Sequence, residues 1–141
     1  MDKELLYLPH KIRKDIHLLN LRMDEFEMLS NTIPTGSFDE PRVDKSRSQE
    51  APFVKWIYKK MEVEEEIKRL EDKLGNLLEQ LIQAINQIDN SDYQNILILR
   101  YLNEVKMEDI ASRLFLSVRT IYRYKYLAVK EFEKLTCSVM L

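Results

Sequence analysis

A long series of apolar residues runs from Phe53 to Ile88 at alternating steps of three and four. Lys60 is the one polar member of this series. Such spacing puts all members on one side of a helix and is typical of coiled coils. At about 1.5 Å per residue, a helix of about 38 residues within 51–90 is on the order of 55 Å long, too long for a domain of this size to cover. Its apolar side therefore needs another helix.

Residues 1–31 carry a shorter pattern of the same kind. Apolar side chains follow each other at steps of four, three, four and three, at Ile12, Ile16, Leu19, Met23 and Phe26. This pattern predicts an N-terminal helix that pairs with part of the second one. Residues 32–50 keep no helical or strand period and contain two prolines and a glycine. We therefore predict a linker between the two helices.

The second helix has more apolar surface than the first can cover. Ile57, Leu78, Ile82 and Ile85 widen its apolar side beyond that of a two-helix seam. Because large exposed apolar stripes are rare in monomers, we predict a homodimer or higher oligomer, with parallel and antiparallel pairing both open. The predicted interface residues are Trp56, Val63, Ile67, Leu70, Leu74, Leu77 and Leu81. The alternative is a hairpin of the two helices within one chain.

Residues 91–141 show shorter helical patterns that are separated by polar breaks. Ser91 is expected to cap a helix that runs from Asp92 to Leu102. The next short helix has an apolar face formed by Ile110, Ala111 and Leu114.

The last helix follows a tight break at residues 115–117. Ser117 is expected to cap this helix by accepting a hydrogen bond from a free backbone N–H group. Steps of three and four predict its core side, which comprises Ile121, Tyr124, Ala128 and Phe132. Two short helices joined by such a break indicate a helix-turn-helix.

The charge distribution favours DNA as the partner of this helix pair. The whole chain has a net charge of −2, which does not indicate a nucleic-acid-binding protein. Residues 111–130, however, contain five basic residues and no acidic one. A local basic surface of this kind attracts phosphates. The alternative is a solvated helix surface that contacts no DNA.

Residues on the outer face of the last helix and beside it fit two kinds of DNA contact. Arginine can hold guanine with two hydrogen bonds, and hydroxyl groups and lysine can hold phosphates. We predict base reading by Arg119, Thr120, Tyr122 and Arg123. We predict phosphate contacts by Arg113, Ser117, Lys125 and Tyr126.

Composition argues against several other classes of protein. No apolar run is long enough to span a membrane, and the N-terminus lacks the pattern of a signal peptide. The single cysteine, Cys137, cannot form an intramolecular disulfide, which suits a reducing cytoplasm. His10 and His17 have no further ligands at metal-site spacing, and no glycine loop suits a phosphate group. We therefore predict no metal, no cofactor and no enzymatic activity.

The C-terminal motifs resemble region 4 of bacterial sigma factors. The resemblance is carried by residues 100–102, 108–111 and 117–123, and it extends from Asp92 to Leu135. More narrowly, the chain is similar to small phage and prophage transcriptional regulators of the RinA or ArpU kind. In those proteins a long helical N-terminal part precedes a sigma-region-4-like helix-turn-helix. One departure is the run of tyrosines at positions 122, 124 and 126, where sigma factors are more polar.

Pattern and resemblance together predict an all-α protein, with a long-helix hairpin or coiled coil followed by a sigma-region-4-like helix-turn-helix. Its predicted segments are an N-terminal helix (1–31), a linker (32–50), a long oligomerisation helix (51–90) and a DNA-binding domain (91–141). The resemblance implies a regulator of transcription that binds double-stranded DNA. It also implies a place in the bacterial cytoplasm at the nucleoid, and it leaves contact with RNA polymerase open.

Two other functions fit the same pattern. Phage small terminase subunits, which act in DNA packaging, also combine a helix-turn-helix with a coiled coil, although usually in the reverse order along the chain. A protein-binding adaptor could keep only the shape of the helix-turn-helix. The size of the oligomer tests the packaging function. DNA affinity after arginine substitution tests the adaptor function.

Overall fold

The structure, a computed structural model, describes residues 2–31 and 52–139, and the side chains of residues 2–31 and 54–135. The predicted linker at residues 32–50 and the side chain of Cys137 lie outside this part. Every regular element in the described ranges is helical, which confirms the predicted all-α fold. After a 3-10 helix at Lys3–Leu6, the elements are α1 (Leu8–Asn31), α2 (Pro52–Ile85), α3 (Ser91–Leu97), α4 (Met107–Leu114) and α5 (Val118–Val139). A π-helical segment at Ile98–Leu102 continues α3.

The described chain divides into two compact units. The hairpin unit comprises residues 15–31 and 52–71. The helix-turn-helix unit comprises residues 2–14 and 72–139. We predicted that the oligomerisation helix ends at residue 90 and that the DNA-binding domain begins at residue 91. That position lies inside the helix-turn-helix unit, because the end of α2 packs with the helices that follow it.

In the hairpin unit, α1 and α2 run antiparallel. The ring of Phe26, near the end of α1, stacks on that of Trp56, near the start of α2, with the two centroids 5.8 Å apart. Earlier in α1 and later in α2, Leu19 and Leu70 line a common cleft. The two long helices therefore pack together within one chain, as expected for a hairpin.

Lys60 lies at this seam although it is polar. Its Nζ is 3.7 Å from Oε2 of Glu27 on the opposite helix. Because the pair is partly exposed, it contributes little to stability, but it gives the ammonium group a partner of opposite charge. Ile67, 9% exposed, is the most buried of the described side chains in this unit. The hairpin thus covers its seam without forming a deep core.

In the helix-turn-helix unit, a buried core joins the end of α2 to α3 and α5. Its fully buried members include Leu6, Leu81, Ile85, Leu97, Ala128 and Phe132. Leu77 and Leu78 pack against the same cluster. The chain itself therefore covers the C-terminal part of the long apolar series, and a second chain is not needed there. The argument for an oligomer consequently rests on the hairpin unit.

A polar contact fixes the N-terminal residues to the loop before α4. The carboxylate of Glu104 is hydrogen-bonded to Nδ1 of His10, and it accepts a hydrogen bond of 3.0 Å from Nη1 of Arg13. The hydrogen bond with His10 has the largest effect and holds the pKa of Glu104 below its ordinary value of 4.5. Burial opposes this effect, and the hydrogen bond with Arg13 adds to the lowering of the pKa. Glu104 has a left-handed backbone, with φ 55°, and these contacts stabilise it in that conformation.

The cap of α3 is one residue earlier than predicted. Oδ1 of Asn90 accepts hydrogen bonds from the backbone N–H groups of Asp92 at 2.9 Å and of Tyr93 at 3.3 Å. The backbone of Asn90 is extended, whereas Ser91 is already the first helical residue. The prediction that Ser91 is the cap is therefore wrong. Asparagine and serine are about equally good caps, so the backbone conformation decides between them.

Asn90→Ala is expected to lower the free energy of unfolding by about 1 kcal/mol, because it removes the acceptor of two helix N–H groups. Ser91→Ala is the matched control, since Ser91 has no capping role, and it is expected to change stability by less than about 0.5 kcal/mol. Urea denaturation followed by circular dichroism measures both. Equal losses in the two variants would contradict the assignment of the cap.

Candidate nucleic-acid interface

The turn between α4 and α5 begins at a left-handed residue. Phe115 has φ 58° and ψ 39°. The backbone N–H of Leu116 donates to the carbonyl oxygen of Ala111 at 3.0 Å, which is the bond that closes a Schellman motif. This motif ends α4 and directs the chain into α5, at the predicted break.

Ser117 caps α5, as predicted. Its Oγ accepts a hydrogen bond of 3.2 Å from the backbone N–H of Thr120. The same hydroxyl donates to Oγ1 of Thr120 at 2.8 Å. The Ser117 hydroxyl is therefore engaged with both the backbone and the side chain of Thr120.

A second buried cluster fixes α4 against α5. Its members are Ile96, Met107, Ile110, Ala111 and Ile121. The ring of Tyr124 packs at its side, edge-to-face with that of Tyr93, with centroids 5.6 Å apart. Ala128 and Phe132, further along α5, belong to the core that contains the end of α2. The predicted core side of α5 is confirmed, and the helix is held by both clusters.

The opposite side of α5 presents arginine and tyrosine to solvent. Arg119 and Arg123 are exposed, and the side chains of Tyr122 and Tyr126 are 51% and 61% exposed. Steps of three and four place these residues on one face of the helix. We call this set of four residues the outer face. The guanidinium carbon of Arg123 also lies 5.5 Å from the centroid of the Tyr124 ring.

Lys130 extends the outer face by one helical turn. Its Nζ lies 4.8 Å from the centroid of the Tyr126 ring. A hydrogen bond with Tyr126 raises the pKa of Lys130. The sequence reasoning counted Lys130 among the basic residues but gave it no DNA contact. Its spacing of four from Tyr126 is the signal that could have assigned it to this face.

Lys125 lies on another side of α5. Its Nζ is 5.8 Å from the centroid of the Tyr101 ring, and it lines a cleft together with His10 and Arg100. Burial and then a hydrogen bond with Tyr7 raise the pKa of Tyr101. Arg113, which was also predicted to contact phosphates, is exposed on the last turn of α4.

The arrangement of helices and turn agrees with a comparison against known protein families. Residues 78–132 match the family model described as Sigma-70, region 4. The matched range begins in the last part of α2 and ends in α5, so it spans the turn and members of both buried clusters. This segment is therefore a sigma-region-4-like helix-turn-helix, a DNA-binding fold.

The match starts earlier than the resemblance seen in the motifs, which began at Asp92. It includes Leu78, Leu81 and Ile85, whose side chains pack with α5 in the core. The family match and the packing of the core thus both include the end of α2 in the helix-turn-helix unit.

No curated protein and no solved structure matched the chain. None of the described helices is long and apolar enough to cross a membrane.

Proposed function

We propose that this chain is a sequence-specific regulator of transcription that binds double-stranded DNA. In this proposal the first turns of α5 enter the major groove. The observation that carries it is the exposed outer face of α5, with its two arginines, on a helix-turn-helix that matches Sigma-70, region 4. Recognition helices of this kind contact base edges near their N-terminal end, where Arg119 and Arg123 lie.

The exposed residues divide into base readers and phosphate binders. Arg119 and Arg123 are free enough in solvent to present a guanidinium group to O6 and N7 of guanine. Tyr122 offers a ring and a hydroxyl group at the same level of the helix, and Thr120 adds a second hydroxyl group. Arg113 and Tyr126 flank these residues and suit phosphate oxygens.

We further propose that the protein is encoded by a phage or prophage and acts in the host cytoplasm at the nucleoid. The support is the order of its parts, with long helices before a sigma-region-4-like unit, which resembles regulators of the RinA or ArpU kind. A unit similar to sigma region 4 also makes RNA polymerase a partner to be tested.

We also propose that the hairpin unit pairs two copies of the chain. Several large apolar side chains remain exposed on its helices, namely Leu18, Leu21, Leu29, Ile57, Tyr58 and Met61. Covering such residues stabilises an oligomer by about 25 cal/mol per Å² of apolar surface. Two linked recognition helices would raise DNA affinity through effective concentration. Half-sites should then lie about 34 Å apart, or a multiple of this distance.

Selection of bound fragments from random duplex DNA, at a stated salt concentration, tests the proposal. We expect enrichment of one motif with two half-sites, because two copies read the same sequence. The mass of the complex in solution should correspond to a dimer. Failure to enrich any motif would contradict sequence-specific binding. A large ring instead of a dimer would favour the packaging function.

A further inference from the structure

Phe115 combines two unfavourable features that no contact within the described chain offsets. Its backbone is left-handed, with φ 58°, a conformation that costs an L-residue free energy and is usually taken by glycine or asparagine after a helix. Its side chain is 92% exposed, so the ring packs on almost nothing in the chain. A glycine at this position would close the same turn without strain.

The other left-handed residue provides a contrast. Among the described non-glycine residues, Glu104 and Phe115 have positive φ. Glu104 gains hydrogen bonds with His10 and Arg13 in that conformation, so its presence there is explained inside the molecule. Among the described residues, Phe115 has no comparable contact. What its ring contributes therefore lies outside the described part of the chain.

The surroundings of Phe115 in the chain favour DNA as the partner. Arg113 precedes it and Arg119 follows it, and both are exposed. Residues 111–130 include no acidic side chain, so an acidic surface suits this region and a basic one does not. Val118, the first residue of α5, adds a second partly exposed apolar side chain beside the turn. An exposed apolar ring within a basic segment suits a DNA duplex, because the duplex presents carbon atoms of its bases and sugars between negatively charged phosphates.

We propose that the Phe115 ring is an apolar contact to the wall of the major groove. Its ligand is a carbon group of the duplex, either the C5-methyl group of a thymine or the carbons of a deoxyribose. The ring then adds affinity at the edge of the region read by Arg119. This inference rests on the proposed DNA-binding function and adds a contact that charge and hydrogen bonding alone would not reveal.

Two substitutions separate strain from contact. Phe115→Asn removes the ring and relieves the strain, because asparagine tolerates the left-handed conformation. Phe115→Leu keeps the strain and much of the apolar surface. The duplex recovered by selection is titrated with each variant, and thermal unfolding is measured on the same samples. A second set of duplexes carries deoxyuridine in place of thymidine, one position at a time.

The asparagine variant is expected to have a melting temperature equal to or above that of the wild type and a roughly tenfold lower affinity, as expected for the loss of about one to two buried carbon groups. The leucine variant is expected to melt like the wild type and to bind within about threefold of it. If one deoxyuridine weakens the wild type but not the asparagine variant, the ligand is that thymine methyl group. If none does, it is the deoxyribose.

Wild-type affinity in the asparagine variant would overturn the inference, while the proposed function would stand as long as Arg119→Ala still weakens binding. A clearly lower melting temperature in that variant would also overturn it, because the ring would then act within the chain. Normal DNA binding with loss of activation in a purified polymerase assay would assign Phe115 to a protein contact instead. If neither Phe115 nor Arg119 affects DNA affinity, the proposed function itself fails.

Discussion

The double substitution Arg119→Ala and Arg123→Ala is expected to lower the affinity for the selected duplex by about a hundredfold or more. Each arginine that holds guanine with two hydrogen bonds contributes roughly 1 to 3 kcal/mol of discrimination, and about 1.4 kcal/mol corresponds to a tenfold change. Both side chains are exposed, so the fold should be unaffected. Titration at fixed salt, with circular dichroism of the same samples, measures both quantities.

The matched control removes two cations from the hairpin unit. Lys68→Ala with Arg69→Ala changes the net charge by the same amount, and Arg69 is paired locally with Glu66 at 2.6 Å. This variant should bind the duplex almost as the wild type does. Equal losses in the two double variants would mean that charge alone drives binding. Unchanged affinity after loss of Arg119 and Arg123, even at low salt, would contradict groove reading and favour the adaptor function.

Phe132→Ala is expected to lower the free energy of unfolding by about 3 to 5 kcal/mol. The Phe132 side chain is completely buried in the core that joins α5 to the end of α2, so alanine leaves a cavity there. A domain of ordinary stability has about 5 to 15 kcal/mol in total, so the helix-turn-helix unit would be close to unfolding. Thermal and urea denaturation measure the loss.

Tyr126→Ala is the control for this second substitution. It also removes an aromatic ring from α5 and adds a good helix former, but the Tyr126 side chain is 61% exposed. We expect a small change in its stability and a modest loss of DNA affinity. Phe132→Ala should show the reverse, with a large loss of stability and near-normal affinity in the folded fraction. Equal stability losses would contradict the burial of Phe132.

The local sequence pattern was sufficient to predict the helices and to predict which residues of α5 are exposed. The heptad series predicted α1 and α2, because a helix must bury its apolar side. The steps from Ile121 to Phe132 predicted which side of α5 is buried, and hence that Arg119 and Arg123 are exposed. Ser117 was recognised as a cap because capping is a contact between residues close in sequence.

Tertiary structure decided which partner covers each apolar residue. Leu81 and Ile85 were expected to meet a second chain, but α3 and α5 of the same chain cover them. A heptad pattern states that a side must be buried and carries no information about the element that buries it. The position of Lys125 above Tyr101 was equally beyond the pattern, because it depends on how α5 packs against α3 and its π-helical continuation.

Backbone conformation decided the remaining points. Asn90 and Ser91 are both good caps, and the extended backbone of Asn90 with the hydrogen bonds to its side chain assigns the role to Asn90. The sequence marks Phe115 as a break, whereas its left-handed backbone and exposed ring are visible only in the fold. The spacing of apolar residues along one helix predicts its buried side, and this spacing is visible in the sequence. Strain and the choice of packing partner depend on residues far apart in sequence, and these the fold alone determines.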